Sequence, residues 1–456
     1  MLLRRPLVLL ALPPLLLLGG LEAQEPPRLL FIGLDAVPFR TVERLSDPAL
    51  GDAALFRGLR GPAPLISTFP STTSLAFAGI LEPLGLEKSP GYEAKFFDWG
   101  EGRVRGGGLI SYNRIKFPWR EFWDWKMRGL GRKLVSGARP VKTTYRSIRQ
   151  SLAAFAAGDD DVFFIYYTTT DLVAHLDSPP GLEPVLRRLD EGLRELRRRP
   201  GARPFRVVLF SDHGMDGGEP LVNVRQGVKR ALKDAGYHPA RRLRHADHVV
   251  FVPFGLVSSF VAFTRDEVRE KVAEVMAAVE GVHVCATPAT SGDGVRVFGG
   301  GASALVRRTG PEGQELWSYE PLDGDPLELA PVVAGLRRRA HDDQAAAFPD
   351  RWWLEATRER ENPDPLYRIV RGFDLVENPA SVICGTRPGF MYGACSTELA
   401  SRLSVGRLRW THGALDKEAS LGFVMSDVEA WEVPSGPVRF NEALLPFLGD
   451  EDYRKR

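Results

Sequence analysis

Three short apolar runs dominate the hydrophobic pattern of the chain, two ending in an aspartate and the third in an Asp-His pair. The runs are "RLLFIGLD" (28–35), "DVFFIYYTTTD" (161–171) and "FRVVLFSDH" (205–213). Uninterrupted runs of this kind are typical of strands buried on both faces of a parallel sheet. Open α/β sheets bind their ligands at the C-terminal ends of such strands. The pattern therefore predicts an α/β core with a polar site at the ends of these runs.

Helical and mixed segments complete the predicted architecture. Helical patterns over 143–158 and 181–199 lie between the strands, the second with leucines along one face. From about residue 220, short strands and glycine-rich turns continue to about residue 380, and "LGFVMS" (421–426) is expected to return to the main sheet. We expect a core in two parts, 24–222 and 381–456, and a smaller α+β cap insert over 223–380.

The N-terminus has the layout of a secretory signal peptide. Residues 1–23 contain Arg4 and Arg5, then a leucine-rich run, then small residues near Ala23. We therefore expect a mature chain that starts near Gln24 and is secreted or periplasmic. An uncleaved membrane anchor is the alternative.

Charge and cysteine content exclude several classes of protein. Lys and Arg number 60 and Asp and Glu 58, so the net charge of +2 offers no general attraction to a nucleic-acid polymer. The 3 cysteines cannot all pair with one another. Cys384 and Cys395 could close a small loop, and Cys285 in "VHVCAT" is expected to be a small buried apolar residue. No CxxC spacing is present, which excludes a zinc ribbon.

Aspartates and histidines with the spacing of metal ligands follow the predicted strands. Asp171 and His175 are four apart, so one helical turn places both side chains on the same face. Asp212 and His213 are adjacent, and a tight turn lets both converge. With Asp35 and with His412 of "RWTHGALD", they make three aspartates and three histidines. Each motif alone has a structural explanation, such as a helix cap. Their joint placement predicts two divalent metal ions, for which such ligands suit zinc best.

Hydroxyl groups precede an apolar helical pattern in "APLISTFPSTTSLAFAGIL" (63–81). They belong to Thr68, Ser71, Thr72, Thr73 and Ser74. A metal-bound hydroxyl at a helix N-terminus can lose its proton near neutral pH, since the cation and the helix dipole both favour the alkoxide. An ordinary helix-capping cluster is the alternative.

The ordered motifs "GLDA", "TFPSTTS", "TDLVAH", "SDHGM" and "THGALD" resemble the alkaline phosphatase superfamily, and within it the type I phosphodiesterase/nucleotide pyrophosphatase branch. The resemblance covers about 28–220 and 405–447. It implies a mostly parallel sheet sandwiched by helices and a phosphoryl hydrolase with a small phosphorylated substrate. It also implies one zinc at Asp35, Thr68, Asp212 and His213 and another at Asp171, His175 and His412. Thr68, directly before Phe69-Pro70, would be the nucleophile that forms a phosphothreonine; a different register would make it Thr72 or Thr73.

The chain departs from this branch after the nucleophile segment. The phosphodiesterases usually carry an asparagine there, whereas "GYEAKFFDWG" has none, and Lys95 is the nearest candidate for a phosphate contact. Phosphomonoesterase, envelope phosphotransferase and catalytically silent binding of a phosphorylated ligand therefore stay open. The segment 116–127 contains Trp119, Trp123 and Trp125, which could stack on a nucleobase or meet a lipid; a packed aromatic cluster is the alternative. Membrane association is expected only through this segment or an uncleaved anchor.

Overall fold

A computed structural model describes residues 26–93, 95–106, 117–126, 139–201, 203–252, 254–290, 292–311, 313–393 and 408–447. The predicted signal peptide and Cys395 lie outside these ranges. Within them, no helix is both long and apolar enough to cross a membrane.

A seven-stranded sheet forms the centre of the core, in the order β23–β2–β22–β7–β1–β6–β5. Its strands are β1 (Arg28–Leu34), β2 (Arg60–Ile66), β5 (Trp125–Lys126), β6 (Val162–Tyr167), β7 (Phe205–Ser211), β22 (Leu421–Ser426) and β23 (Val438–Arg439). β1 pairs in parallel with β6 and β7, whereas β22 runs antiparallel to β7 and β2. The prediction of an α/β core with a mostly parallel sheet, to which "LGFVMS" returns, is therefore confirmed.

Helices cover both faces of this sheet. They are α1 (Phe39–Ser46), α2 (Thr73–Leu81), α3 (Pro118–Glu121), α4 (Pro140–Ala157), α5 (Thr169–Gly181) and α6 (Glu183–Arg197). Successive side chains of a strand point to opposite faces. Phe31 of β1 accordingly packs in the same cluster as Phe77 of α2, and Leu30 packs with Leu152 of α4 and Leu189 of α6. Burial on both sides explains why the β1, β6 and β7 sequences are apolar almost throughout.

A second, nine-stranded sheet lies in the predicted cap, in the order β10–β11–β13–β19–β14–β15–β16–β17–β18. Its strands are β10 (His238–Ala240), β11 (His248–Val252), β13 (Ser259–Phe263), β14 (Val282–Pro288), β15 (Val295–Gly299), β16 (Ala302–Thr309), β17 (Leu316–Asp323), β18 (Ala347–Pro349) and β19 (Val382–Thr386). The accompanying helices are α7 (Arg225–Asp234), α8 (Arg269–Ala277), α9 (Ala330–Ala340), α10 (Asp350–Thr357) and α11 (Pro365–Asp374). Since β19 pairs between β13 and β14, this sheet extends beyond the expected boundary at residue 380.

Short strand pairs connect the two units. β12 (Leu256–Val257), β20 (Phe390–Gly393) and β9 (Val222–Asn223) form one small sheet, and β21 (Trp410–Thr411) pairs with β8 (Asp216–Gly217). β3 (Lys95–Asp98) and β4 (Arg103–Gly106) form a hairpin, and a last helical turn, α12 (Lys417–Ser420), precedes β22. The Ser258 backbone N–H donates to the His412 carbonyl at 2.7 Å, so the second unit contacts the segment that carries a predicted metal ligand.

The cysteine pairing differs from the pairing considered from sequence. Cys285 of β14 and Cys384 of β19 lie directly opposite each other on adjacent antiparallel strands, with Cα atoms 4.1 Å apart, and form a disulfide bond. Both residues are fully buried. The suggestion that Cys384 pairs with Cys395 is therefore wrong, because strand register brings Cys384 next to a residue 99 positions away in the chain.

Candidate metal centre

The ends of the adjacent strands β1 and β7 bring Asp35, Asp212 and His213 together. His213 Nε2 lies 3.3 Å from Asp212 Oδ2 and 3.8 Å from Asp35 Oδ1. Ala36 adopts a left-handed backbone conformation, with φ of 57°, and its N–H donates to Asp212 Oδ1 at 3.0 Å. A non-glycine residue rarely adopts this conformation, which is typical of constrained turns at functional sites. The turn after β1 thus orients the carboxylate at the end of β7.

A second group consists of Asp171, His175 and His412. Asp171 lies in the first turn of α5 and His175 one turn later, with His175 Nε2 3.2 Å from Asp171 Oδ1. His412 follows β21 and places its Nε2 3.5 Å from the same oxygen. The His213 and His412 rings stack with centroids 4.0 Å apart, so the two groups are neighbours. In each group, one potential ligand atom per residue lies within 4.8 Å of the others.

All three imidazoles are anchored through Nδ1. Each Nδ1 lies within hydrogen-bond distance of a backbone carbonyl: Trp410 for His175 at 2.9 Å, Gly214 for His213 at 2.9 Å, and Ser71 for His412 at 2.8 Å. Since a carbonyl only accepts, Nδ1 carries the proton and Nε2 presents a lone pair to the site. This is the usual anchoring of metal-binding histidines.

The buried acceptors of the site fit a cation. Asp171 Oδ1, Asp212 Oδ2 and His213 Nε2 are buried and have no hydrogen-bond partner. Lone pairs of nitrogen and oxygen therefore converge in a buried space, an arrangement that is costly unless a positive charge lies between them. Carboxylate and imidazole donors suit zinc and other divalent transition metals. The residues thus fit two divalent ions.

The pKa values of His412 and His213 agree with this fit, whereas the Asp171 carboxylate outweighs burial and raises the pKa of His175. Burial lowers the pKa of His412 to about 4, and burial together with the neighbouring His412 lowers the pKa of His213 well below its usual value. Both imidazoles are therefore neutral at pH 7, as metal ligands must be. Burial and the charges of Asp212 and Asp171 raise the pKa of Asp35 well above its usual range. Bound cations would offset this repulsion and favour the ionised carboxylates.

Tyr166 orients Asp35, a role that sequence reasoning missed. Asp35 Oδ2 accepts a hydrogen bond from the Tyr166 hydroxyl and another, at 3.4 Å, from the Thr168 hydroxyl. These donors occupy Oδ2 and leave Oδ1 facing His213. Tyr166 lies opposite Gly33 in the parallel register of β6 and β1, close to the strand end where Asp35 follows. The two tyrosines that end an otherwise apolar strand were the available signal.

Of the candidate nucleophiles, Thr73 contacts the centre. It is the first residue of α2, it is half-buried, and its hydroxyl donates to Asp35 Oδ1 at 3.1 Å. The Thr68 hydroxyl instead donates to the Pro70 carbonyl at 2.8 Å, and the Thr72 hydroxyl donates to the Tyr92 carbonyl at 2.8 Å. Thr68 and Thr72 are 1% and 0% exposed. The expected position of Thr68 at the metal centre is therefore not observed, because four residues separate Thr68 from Thr73, where the helix begins at the site.

The segment after α2 places an acid rather than the predicted lysine beside this helix start. The Ser74 hydroxyl donates to Glu93 Oε2 at 3.4 Å, and Ser74 follows Thr73 directly. Lys95 is half-buried at the start of β3, and no hydrogen bond or ion pair between described residues joins it to either ligand group. Sequence reasoning missed Glu93 because a phosphate contact favours a basic residue over an acid.

The described part of the aromatic segment, 117–126, belongs largely to the core. Trp119 and Trp123 are each 2% exposed. Both rings lie against Phe77 of α2 and against Tyr166. This burial supports the packed-cluster alternative, since neither ring is available to a base or a lipid.

No protein-family model and no curated protein matches the chain. Among solved structures, human ectonucleotide pyrophosphatase/phosphodiesterase 5 is similar, with a TM-score of 0.47 and 11% identity over 91% of both chains. An inactive form of the murine protein in complex with AMP has a TM-score of 0.44 and 10% identity over 91% of this chain and 92% of that one. Phosphonoacetate hydrolase from Sinorhizobium meliloti, in complex with phosphonoformate, has a TM-score of 0.45 and 12% identity over 90% and 92%. At identities of 10–12%, these structures do not assign a reaction to this chain, so its function has to be inferred from its own side chains.

Proposed function

We propose that this protein is an exported, two-metal phosphoryl hydrolase of the phosphodiesterase type in which Thr73 is the nucleophile. The contact of the Thr73 hydroxyl with Asp35 Oδ1, beside two adjacent groups of aspartate and histidine ligands, is the observation that carries this proposal. A half-buried hydroxyl at a metal centre and at a helix start has the features of an activated nucleophile. A silent binding protein would not need this hydroxyl to be oriented.

The proposed ligands divide into two sets. Asp35, Asp212 and His213 would hold one divalent ion, and Asp171, His175 and His412 the other, with zinc favoured by the donor types. When bound, such ions lower the pKa of a coordinated hydroxyl or water and neutralise charge on a transferring phosphoryl group.

Thr73, Asp35 and the start of α2 would carry out the proposed steps of the reaction. The Thr73 oxygen would attack phosphorus, forming an oxygen–phosphorus bond while the bond to the leaving alcohol breaks and that alcohol takes up a proton from water. The Thr73 proton would pass along the hydrogen bond to Asp35 Oδ1 and on to the hydroxide that remains when water protonates the alcohol, so Asp35 is again ionised. The N-terminal end of α2 stabilises negative charge at this oxygen. Water would then attack phosphorus of this threonine-linked diester and release a phosphomonoester and the Thr73 hydroxyl.

Glu93 supports a diester rather than a monoester substrate. Its carboxylate approaches Ser74, next to the nucleophile. A nearby negative charge repels a doubly charged phosphomonoester more strongly than a singly charged diester. A phosphotransferase would use the same residues with an alcohol in place of water, and added acceptor alcohol would reveal it as a transfer product.

Two observations support export. The N-terminal sequence has the layout of a signal peptide. The disulfide between Cys285 and Cys384 is of the kind that persists in oxidising compartments. We therefore propose a secreted or periplasmic location.

The test compares hydrolysis of an aryl phosphodiester and an aryl phosphomonoester by the purified protein. We expect the protein to hydrolyse the diester faster than the monoester. A chelator should abolish this hydrolysis, and added zinc should restore it. Thr73→Ala should abolish turnover, and acid quenching of the wild-type reaction with the diester should trap an aryl phosphoryl group on Thr73. Thr68→Ala is the matched control and should retain activity. Turnover of neither ester with any divalent metal would refute a hydrolase, and loss of activity in Thr68→Ala alone would return the nucleophile to Thr68.

A further inference from the structure

Helix α11 of the second unit lies directly on the segment that leads to the proposed nucleophile. Arg368 and Gly372 are four apart and therefore share one face of this helix. A Cβ atom at Gly372 would lie 2.2 Å from the Phe69 carbonyl oxygen, so only glycine permits this approach of helix to backbone. Arg368, on the same face, contacts Thr68, the residue before Phe69.

Arg368 joins two separate segments through one guanidinium group. It is fully buried, and its Nη2 donates to the Thr68 carbonyl at 3.2 Å and to the Ser420 hydroxyl at 2.5 Å. Its Nη1 donates to the Leu415 carbonyl at 2.7 Å and to the Pro363 carbonyl at 3.1 Å. Burial lowers the pKa of Arg368 to about 10, so the group stays charged at pH 7 and these hydrogen bonds are charge-assisted. A lysine cannot reproduce such a planar fork.

The two joined segments carry different residues of the metal centre. The segment after Thr68 leads to Thr73, and the segment before Leu415 contains His412. They also contact each other at Ser71, whose carbonyl anchors His412 Nδ1 at 2.8 Å and whose N–H donates to the Gly413 carbonyl at 3.3 Å. A shift of either segment would therefore move the proposed nucleophile relative to a proposed metal ligand.

We propose that Arg368 is a positioning residue that sets the distance between the Thr73 segment and the His412 segment. It touches neither ligand group itself and acts through the Thr68 and Leu415 carbonyls. The inference rests on the proposed function for its effect on turnover, but its effect on metal binding depends only on the anchoring of His412. The second unit thereby contributes to the geometry of the site as well as covering the core.

Arg368→Lys tests this role, with Arg371→Lys as the matched control. Arg371 lies three residues further along α11 and forms an ion pair with Glu82. Glu82 follows the C-terminal end of α2, whereas Thr73 is at its N-terminal end. We expect Arg368→Lys to weaken binding of one of two Co²⁺ ions by about 10-fold or more, the usual effect of losing a residue that orients a metal ligand without binding the metal. Its kcat for the aryl diester should fall by about 100-fold, the effect of a misplacement of about 1 Å, with a much smaller change in KM. Arg371→Lys should leave both quantities near wild type.

Gly372→Ala is a second way to displace α11 from the Thr68 segment. It should lower Co²⁺ affinity and kcat as Arg368→Lys does. Circular dichroism and the unfolding midpoint would show that the variant is folded. Wild-type Co²⁺ affinity and kcat in folded Arg368→Lys protein would overturn the proposal, as would equal losses in Arg371→Lys. If wild-type protein binds two Co²⁺ ions but hydrolyses neither ester, the proposed function fails, and the Co²⁺ titrations of the variants still decide the role of Arg368.

Discussion

Replacing Cys285 and Cys384 together by alanine should markedly destabilise the second unit. The disulfide joins strands β14 and β19 across a sequence separation of 99 residues. A bond that closes so long a loop removes many conformations from the unfolded chain. For a loop of about 100 residues, the loss of chain entropy corresponds to about 4.7 kcal/mol at 25 °C. Both sulfur atoms are also buried, so their removal adds a smaller packing loss of the same sign.

The effect is measured as the change in the free energy of unfolding in urea, with fluorescence and circular dichroism recorded together. For a unit of this size, about 4.7 kcal/mol corresponds to a decrease of roughly 10–20 °C in the thermal midpoint. Cys395→Ala is the matched control, because it removes a cysteine and leaves the bond intact. Non-reduced, denatured wild-type protein should expose a single reactive thiol, since one bond uses two of the 3 cysteines.

Two results would refute this reasoning. A peptide digest that links Cys384 to Cys395 would show that the strand register between β14 and β19 does not decide the pairing. Equal midpoints for the double alanine variant and Cys395→Ala would show that loop closure contributes nothing to stability.

Three further predictions concern the centre and its surroundings. Chelation should lower the unfolding midpoint, and free zinc at 100 times its Kd should restore about 2.7 kcal/mol; an unchanged midpoint would argue against bound metal. Tyr166→Phe removes the donor to Asp35 Oδ2 and should weaken Co²⁺ binding by about 10- to 100-fold, whereas an unchanged titration would deny this tyrosine a role. Burial raises the pKa of Asp416 to about 6, so the folded protein keeps this proton at pH values where the unfolded chain has lost it. The free energy of unfolding of the wild type should therefore fall by up to about 3 kcal/mol as the pH rises from about 4 through about 6. Asp416→Asn should lack this loss in urea unfolding at pH 4 and pH 8; equal losses in both proteins would contradict it.

Local patterns along the chain were sufficient for the core and for the positions of the proposed ligands. The apolar runs predicted β1, β6 and β7 because burial on both faces of a parallel sheet demands an uninterrupted apolar sequence. Asp35, Asp171 and Asp212 followed from the same runs, since parallel strands present their C-terminal ends along one edge. His175 and His213 followed from their spacing to these aspartates.

Only the tertiary structure decided which side chains meet across long separations. It placed Thr73 rather than Thr68 against Asp35, joined Cys285 to Cys384, and brought Arg368 between the Thr68 and Leu415 carbonyls. The physical reason is that strand and helix periodicity depends on near neighbours. The selection of one hydroxyl among five, or one cysteine pair among three, depends on strand register and on helix packing between segments that lie 38 and 99 residues apart in the chain.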